Sequence, residues 1–97
     1  MTNTESGNIM NVIKTYITTV LDENNILHTL NTSLIRENGI YGFECTLSPA
    51  NSSARDCTVT DDKTAALEIF DILCKEKVLP LNLCSVLDDL ADMYINA

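Results

Sequence analysis

Basic residues are scarce in this sequence. Lysine and arginine together number 6, against 14 aspartates and glutamates, and the formal net charge is −8. A nucleic-acid-binding surface needs lysine and arginine to neutralise phosphates, and an anionic membrane attracts the same two residues. We therefore expect no direct binding to nucleic acid or to a membrane. The charge does suit a protein partner with a basic surface.

Long apolar runs and an export signal are also lacking. No apolar run approaches the ~20 residues that cross a membrane, and the opening MTNTESGN lacks the basic start of a signal peptide. The cysteines form no C-x-x-C pair. We expect reduced thiols in the bacterial cytoplasm, or in the host's cytoplasm if a phage encodes the chain. The cysteines are Cys45, Cys57, Cys74 and Cys84.

Enzyme and metal-site motifs are absent too. The three glycines are scattered, so there is no phosphate-binding loop, and neither G-x-S-x-G nor H-E-x-x-H occurs. The single histidine, His28, would need a cysteine beside it to form a catalytic pair. All four cysteines lie on predicted apolar faces, where thiols are usually inert. We predict no enzyme activity, no cofactor and no metal site.

The length of 97 residues suits one domain. We expect residues 1–7 to be disordered and residues 8–24 to form a helix, packed either on the core or at its periphery. This helix is predicted because apolar residues recur at helical spacing, and Asn24 and Asn25 would end it. The apolar residues are Ile9, Val12, Ile13, Tyr16, Ile17, Val20 and Leu21.

Asn38-Gly39 predicts a β-hairpin, because a two-residue type I′ turn needs positive φ at both central positions. The resulting register pairs Glu37 with Ile40 and collects apolar residues on one face. A third strand is predicted over residues 54–60, and it would bring Cys57 near Cys45. These two cysteines are either a redox pair or two small buried side chains, and we favour the second interpretation. The apolar face comprises Leu30, Leu34, Tyr41, Phe43, Cys45 and Leu47.

Two amphipathic helices are predicted after the sheet. Thr60 or Asp61 would cap the first helix, and Pro80 would end it and open the second. The predicted fold is α+β. It has an N-terminal helix, a three-stranded antiparallel meander in sequential order, and two C-terminal helices packed on the apolar face of the sheet.

The last helix carries three aspartates on one side, Asp88, Asp89 and Asp92. A convex helix surface offers no cage of oxygen ligands, so we do not expect a metal site. The solvated side of a helix is the simpler interpretation. However, like charges three and four residues apart are unfavourable, so the stripe is also a candidate surface for a basic partner. Asp71 and Glu68 would extend it.

Three stretches of the chain, YGFECTL, TDDKTAALEIFDIL and VLPLNLCSVLDDL, resemble small uncharacterised proteins of clostridial bacteria and their mobile elements. The resemblance covers about residues 38–92, and the terminal-helix pattern falls on Pro80, Leu83, Val86 and Asp89. It implies a bacterial or phage cytosolic origin and brings no assigned activity.

These observations lead to two functional hypotheses. The first is a non-enzymatic acidic regulator or inhibitor of a nucleic-acid-handling protein, for example an anti-CRISPR or anti-restriction protein of a phage or mobile element. It would cover a basic surface with the acidic residues named above. The second is a structural or self-associating module, for example a homodimer, that uses an apolar helix face or a strand edge.

Overall fold

The computed structural model describes residues 10–49 and 52–94, and the side chains of Cys57 and Thr58 lie outside that description, as do residues 1–7. The fold is α+β: one four-stranded antiparallel sheet in the order β1-β2-β3-β4, followed by two helices. The elements are β1 (Met10–Leu21), β2 (Leu27–Glu37), β3 (Ile40–Ser48), β4 (Ser52–Thr60), α1 (Lys63–Lys75), a 3₁₀ turn (Pro80–Asn82) and α2 (Leu83–Tyr94).

The helix predicted over residues 8–24 is wrong, because residues 10–21 form β1. The sheet therefore has four strands rather than three. Seven of the 12 residues of β1 are valine, isoleucine or threonine, and these β-branched residues favour strands. Pairing with β2 extends from Met10 to Leu21, interrupted by one bulge between Val12 and Lys14. The hydrogen bonds of this ladder satisfy the N–H and C=O groups on one side of β1. A helix would not need these partners, because it satisfies its backbone groups internally.

The hairpin predicted at Asn38-Gly39 is confirmed. Asn38 and Gly39 have φ values of 55° and 81°, as a type I′ turn requires. Glu37 pairs with Ile40, and the register continues as predicted to Leu30 opposite Leu47. The predicted apolar face is buried, with Leu47 partly so. The sequential order of the strands is confirmed as well.

Both C-terminal helices pack on the apolar face of the sheet, as predicted. Leu34, Phe43 and Cys45 are fully buried beneath Ile69 and Leu73 of α1 and Leu83 and Leu87 of α2. The helices lie at different positions on this face: α1 contacts β2, β3 and β4, whereas α2 contacts β4. The side of the sheet near β4 is therefore the more heavily covered one.

The predicted boundaries of the helices need two corrections. Asp62 caps α1, rather than Thr60 or Asp61, because its carboxylate accepts hydrogen bonds from the N–H groups of Thr64 and Ala65. The Thr60 hydroxyl instead accepts the N–H of Asp62. Pro80 does not end α1, whose last residue is Lys75. Pro80 does open the next segment, but as a 3₁₀ turn that precedes α2.

Candidate interaction surfaces

The strand β1 is the most exposed element of the sheet. Its buried partner β2 separates it from the core, and no described strand lies on its outer side. Large apolar side chains are nevertheless exposed along it, from 43% for Ile13 to 64% for Leu21. We call this surface the β1 edge. Its exposed apolar residues are Val12, Ile13, Tyr16, Ile17 and Leu21, and Ile26 and Leu27 continue it into the turn and β2.

The backbone groups on the outer side of β1 follow from the hairpin register. In antiparallel sheets, hydrogen-bonded and non-hydrogen-bonded pairs alternate. The N–H of Asp22 donates to the carbonyl of Ile26, so the even-numbered residues after the bulge bond to β2. The odd-numbered residues Thr15, Ile17, Thr19 and Leu21 must direct their N–H and C=O groups outward. These groups form an open row of donors and acceptors.

One outward carbonyl has a described partner. The ammonium of Lys77, just beyond α1, donates to the carbonyl oxygen of Thr19 at 3.3 Å. The bond agrees with the outward direction of that carbonyl. A carbonyl oxygen has two lone pairs, so Thr19 can accept a second hydrogen bond.

The opposite edge of the sheet is protected. Strand β4 is shorter than β1, with 9 residues, and the β3–β4 register is interrupted between Tyr41 and Phe43. Arg55 on this strand forms an ion pair with Glu44, and both α2 and the 3₁₀ turn pack against it. Short length, irregular pairing, charge and coverage are the devices that keep sheet edges from pairing. The β1 edge has one charged residue, Lys14, and few of these protections.

A groove of about 530 Å³ separates β1 from α1 on the helix-covered side. The Lys14 ammonium lies over the Phe70 ring, 5.7 Å from its centroid, and Asp71, Cys74 and Lys75 line the same groove. Burial, followed by the neighbouring Asp71 carboxylate, raises the pKa of the Cys74 thiol to about 11. Cys74 therefore supplies no reactive thiolate at neutral pH.

The predicted acidic residues are divided between the two helices. Asp88, Asp89 and Asp92 are exposed on α2, and no described lysine or arginine forms an ion pair with them. Glu68 and Asp71 are exposed on α1. Asp71 lines the groove beside β1 together with two lysines, whereas α2 packs near β4. We define Asp88, Asp89 and Asp92 as the α2 stripe.

The cysteines and His28 occupy separate environments. Cys45 is buried and its thiol donates to the carbonyl of Val78 at 3.3 Å, and burial raises the pKa of this thiol. Cys84 is exposed, which corrects its predicted place on an apolar face. The Cys57 side chain lies outside the described residues, so a pair with Cys45 stays untested. His28 lies within β2 and contacts Asp22.

Among the described residues, no three histidine, cysteine, aspartate or glutamate side chains are grouped so that they could hold a metal ion. None of the described helices has the length and apolar character needed to cross a membrane. Comparison with protein-family models, curated proteins and solved structures finds no match for this chain. The clostridial resemblance therefore stays a prediction.

The β1 edge was not among the predicted surfaces, because residues 8–24 were expected to form a helix. Two signals could have identified a strand. One is the high content of β-branched residues between Val12 and Val20. The other is the Asn24-Asn25 pair, because asparagine tolerates the positive φ of a tight turn. In the structure Asn25 has a φ of 61° and its N–H bonds to the Asp22 carbonyl. This geometry is a three-residue hairpin loop.

Proposed function

We propose that this chain is a non-enzymatic protein-interaction module that binds an extended segment along the β1 edge. The observation that supports this proposal is a combination of two features of β1. The backbone groups of Thr15, Ile17 and Thr19 point outward, and apolar side chains on the same strand are exposed. A strand added to a sheet edge gains main-chain hydrogen bonds, and alternate side chains provide specificity. The module needs neither a cofactor nor a metal.

The contrast between the two edges supports this proposal. Proteins commonly blunt an exposed edge because it invites unwanted pairing. This chain has charge and helix packing at β4, yet it presents 12 residues at β1 with a single charge. An edge strand of that length and apolar character is expected where pairing with another strand is part of the protein's function.

Site-directed crosslinking in cells that express the chain tests the proposal. A photo-crosslinking amino acid at position 17 should give a protein adduct, because the Ile17 side chain is 61% exposed beside the open edge. The same amino acid at Leu81, which is 88% exposed elsewhere, is the control. The Thr19→Pro variant removes an outward N–H and should abolish the adduct. An adduct that persists in this variant, or none at position 17, would contradict the proposal.

A second candidate function is inhibition of a bacterial defence protein that handles nucleic acid, as a phage or mobile-element anti-defence protein would act in the bacterial cytoplasm. It is supported by the three exposed carboxylates of the α2 stripe, which lack ion pairs among the described residues. Such a surface would attract a basic partner strongly at low salt and weakly at high salt.

This candidate is tested by neutralising the stripe. The Asp88→Asn, Asp89→Asn, Asp92→Asn triple variant should lose a basic, nucleic-acid-binding partner that wild-type protein retains at low salt. A matched control removes three exposed acids elsewhere, by Glu23→Gln, Asp61→Asn and Glu76→Gln. Equal losses in both variants would assign the effect to net charge and exclude the stripe as a specific surface.

A further inference from the structure

We infer that the segment bound by the β1 edge is the β1 edge of a second copy of this chain. The two strands would pair antiparallel about a two-fold axis near Ile17, which would give one continuous eight-stranded sheet. This inference rests on the proposed function and names its partner. It is carried by the backbone pattern, the charge distribution and the apolar exposure of β1.

The backbone pattern is self-complementary. Thr15, Ile17 and Thr19 all direct N–H and C=O groups outward, as the register with β2 requires. Two antiparallel strands centred on Ile17 would place Thr15 opposite Thr19 and Ile17 opposite its own counterpart. Every outward N–H then meets an outward C=O, and the contact closes on itself as a two-fold interface must.

The charge distribution favours β1 over any acidic surface as the contact between two copies. Each chain carries −8, so two copies repel each other wherever their acidic residues meet. Strand β1 contains one charged residue, Lys14, and no acid. Around an axis at Ile17, the two Lys14 residues would be six positions apart, or about 20 Å at the usual strand rise. That distance exceeds the screening length in physiological salt.

Apolar exposure supplies the driving force. Val12, Ile17 and Leu21 are each more than half exposed, and Ile13 and Tyr16 are only slightly less so. Pairing would bring the same side chains of a second copy against them on both faces of the sheet. The burial of apolar area stabilises association in proportion to the area removed from water.

Charge-swap complementation tests the two-fold arrangement. Purified wild-type chain should sediment at twice its 10.7 kDa mass in a concentration-dependent equilibrium. Ile17→Lys and Ile17→Glu should each be monomeric, because a two-fold axis nearby places equal charges together. The two variants mixed should form a heterodimer. The Leu81→Asp variant, altered at an exposed residue outside β1, is the control and should dimerise like wild type.

The outcomes separate this inference from the proposed function. Recovery of the dimer on mixing would establish that position 17 lies beside its own counterpart. A wild-type chain that stays monomeric, or a dimer unaffected by Ile17→Lys, would overturn the inference. In that case the crosslinking experiment at position 17 tests the proposed function separately from the dimer. An adduct with another protein supports that function without the dimer, and no adduct at all overturns both.

Folding of the variants is checked independently. Residue 17 is exposed in the single chain, so its substitution should leave the core and the β2–β3 hairpin unchanged. Circular dichroism and amide exchange in β3 provide that control. Should Ile17→Lys fail to fold, the double variants Thr15→Lys, Thr19→Lys and Thr15→Glu, Thr19→Glu offer a second complementing combination. Positions 15 and 19 are opposite each other in the same register, so each double variant places equal charges together and the mixture places opposite charges together.

Discussion

The imidazole Nε2 of His28 lies 2.8 Å from Oδ2 of Asp22, joining β2 to the residue that follows β1. The other carboxylate oxygen of Asp22 accepts the N–H groups of Asn24 and Ile26. Asp22 thus holds the β1–β2 turn through three hydrogen bonds. Among the described residues, Nδ1 of His28 is buried without a hydrogen-bond partner, so Nε2 is the nitrogen that anchors this ring.

Acid should loosen the β1–β2 turn. The hydrogen bond from His28, followed by those from the backbone, lowers the pKa of Asp22 below its ordinary value. A carboxylate with a depressed pKa stabilises the folded state above its unfolded pKa, near 4, and loses that contribution as pH falls through the folded value. The Asp22→Asn variant should therefore lose less stability than wild type below about pH 4. Urea unfolding at pH 7 and pH 3 measures this, and parallel losses would contradict it.

In the monomer, protected and fast-exchanging amides should alternate along β1. Tyr16 and Thr18 direct their N–H groups toward β2, whereas Thr15, Ile17 and Thr19 direct theirs outward. In the monomeric Ile17→Lys variant we expect protection at the even positions and fast exchange at Thr15 and Thr19. In a wild-type dimer both sets should be protected. Uniform protection of the monomer would show that the assigned direction of the backbone groups is wrong.

The cysteines should differ in reactivity. Cys84 is exposed, whereas burial raises the pKa values of Cys45 and Cys74, the latter to about 11. At pH 8 only about one Cys74 thiol in a thousand is ionised, and the thiolate is the reactive form. Among the three cysteines whose side chains are described, iodoacetamide should label Cys84 first and label Cys45 and Cys74 only after unfolding. Peptide mapping by mass spectrometry gives the order, and early labelling of Cys45 would refute its burial.

Removing the Asp62 side chain, which caps α1, should destabilise the fold more than removing the neighbouring Asp61 side chain. The Asp62 carboxylate accepts two backbone N–H groups at the start of the helix, whereas Asp61 is an exposed acid one residue earlier. We expect Asp62→Ala to lower the free energy of unfolding by about 1 kcal/mol and Asp61→Ala to change it by less than about 0.5 kcal/mol. Urea denaturation compares the two variants, and equal effects on the free energy of unfolding would show that Asp62 is not the cap.

The β2–β3 hairpin could be predicted from the sequence because its determinants are local. Asn38-Gly39 sets the turn, and the alternation of Leu34, Phe43 and Cys45 independently sets the same register. The two C-terminal helices were predictable for a similar reason, since the apolar spacing that defines each of them is local. Their exact ends were not, because the cap is Asp62 and Pro80 begins a 3₁₀ turn. The exposure of the α2 stripe follows from that spacing as well.

The nature of β1 could not be read from periodicity. Its apolar residues come in adjacent pairs every fourth position, such as Tyr16-Ile17 and Val20-Leu21. In a helix this spacing forms one stripe, whereas in a strand it places one member of each pair on either face. Both conformations match the pattern. Pairing with β2 decided between them, because β2 has backbone groups on that side that need partners.

The sequence by itself determined the local turns, the amphipathic helices, the central hairpin and the shortage of positive charge. Each of these depends on residues close together in the chain or on composition alone. Only the tertiary structure decided that residues 10–21 are a strand, that this strand lies at the edge of the sheet, and that Asp71 lines the groove beside β1. These features depend on which distant backbone groups pair and on which side of the sheet the helices cover, and the apolar spacing of residues 10–21 leaves that choice open.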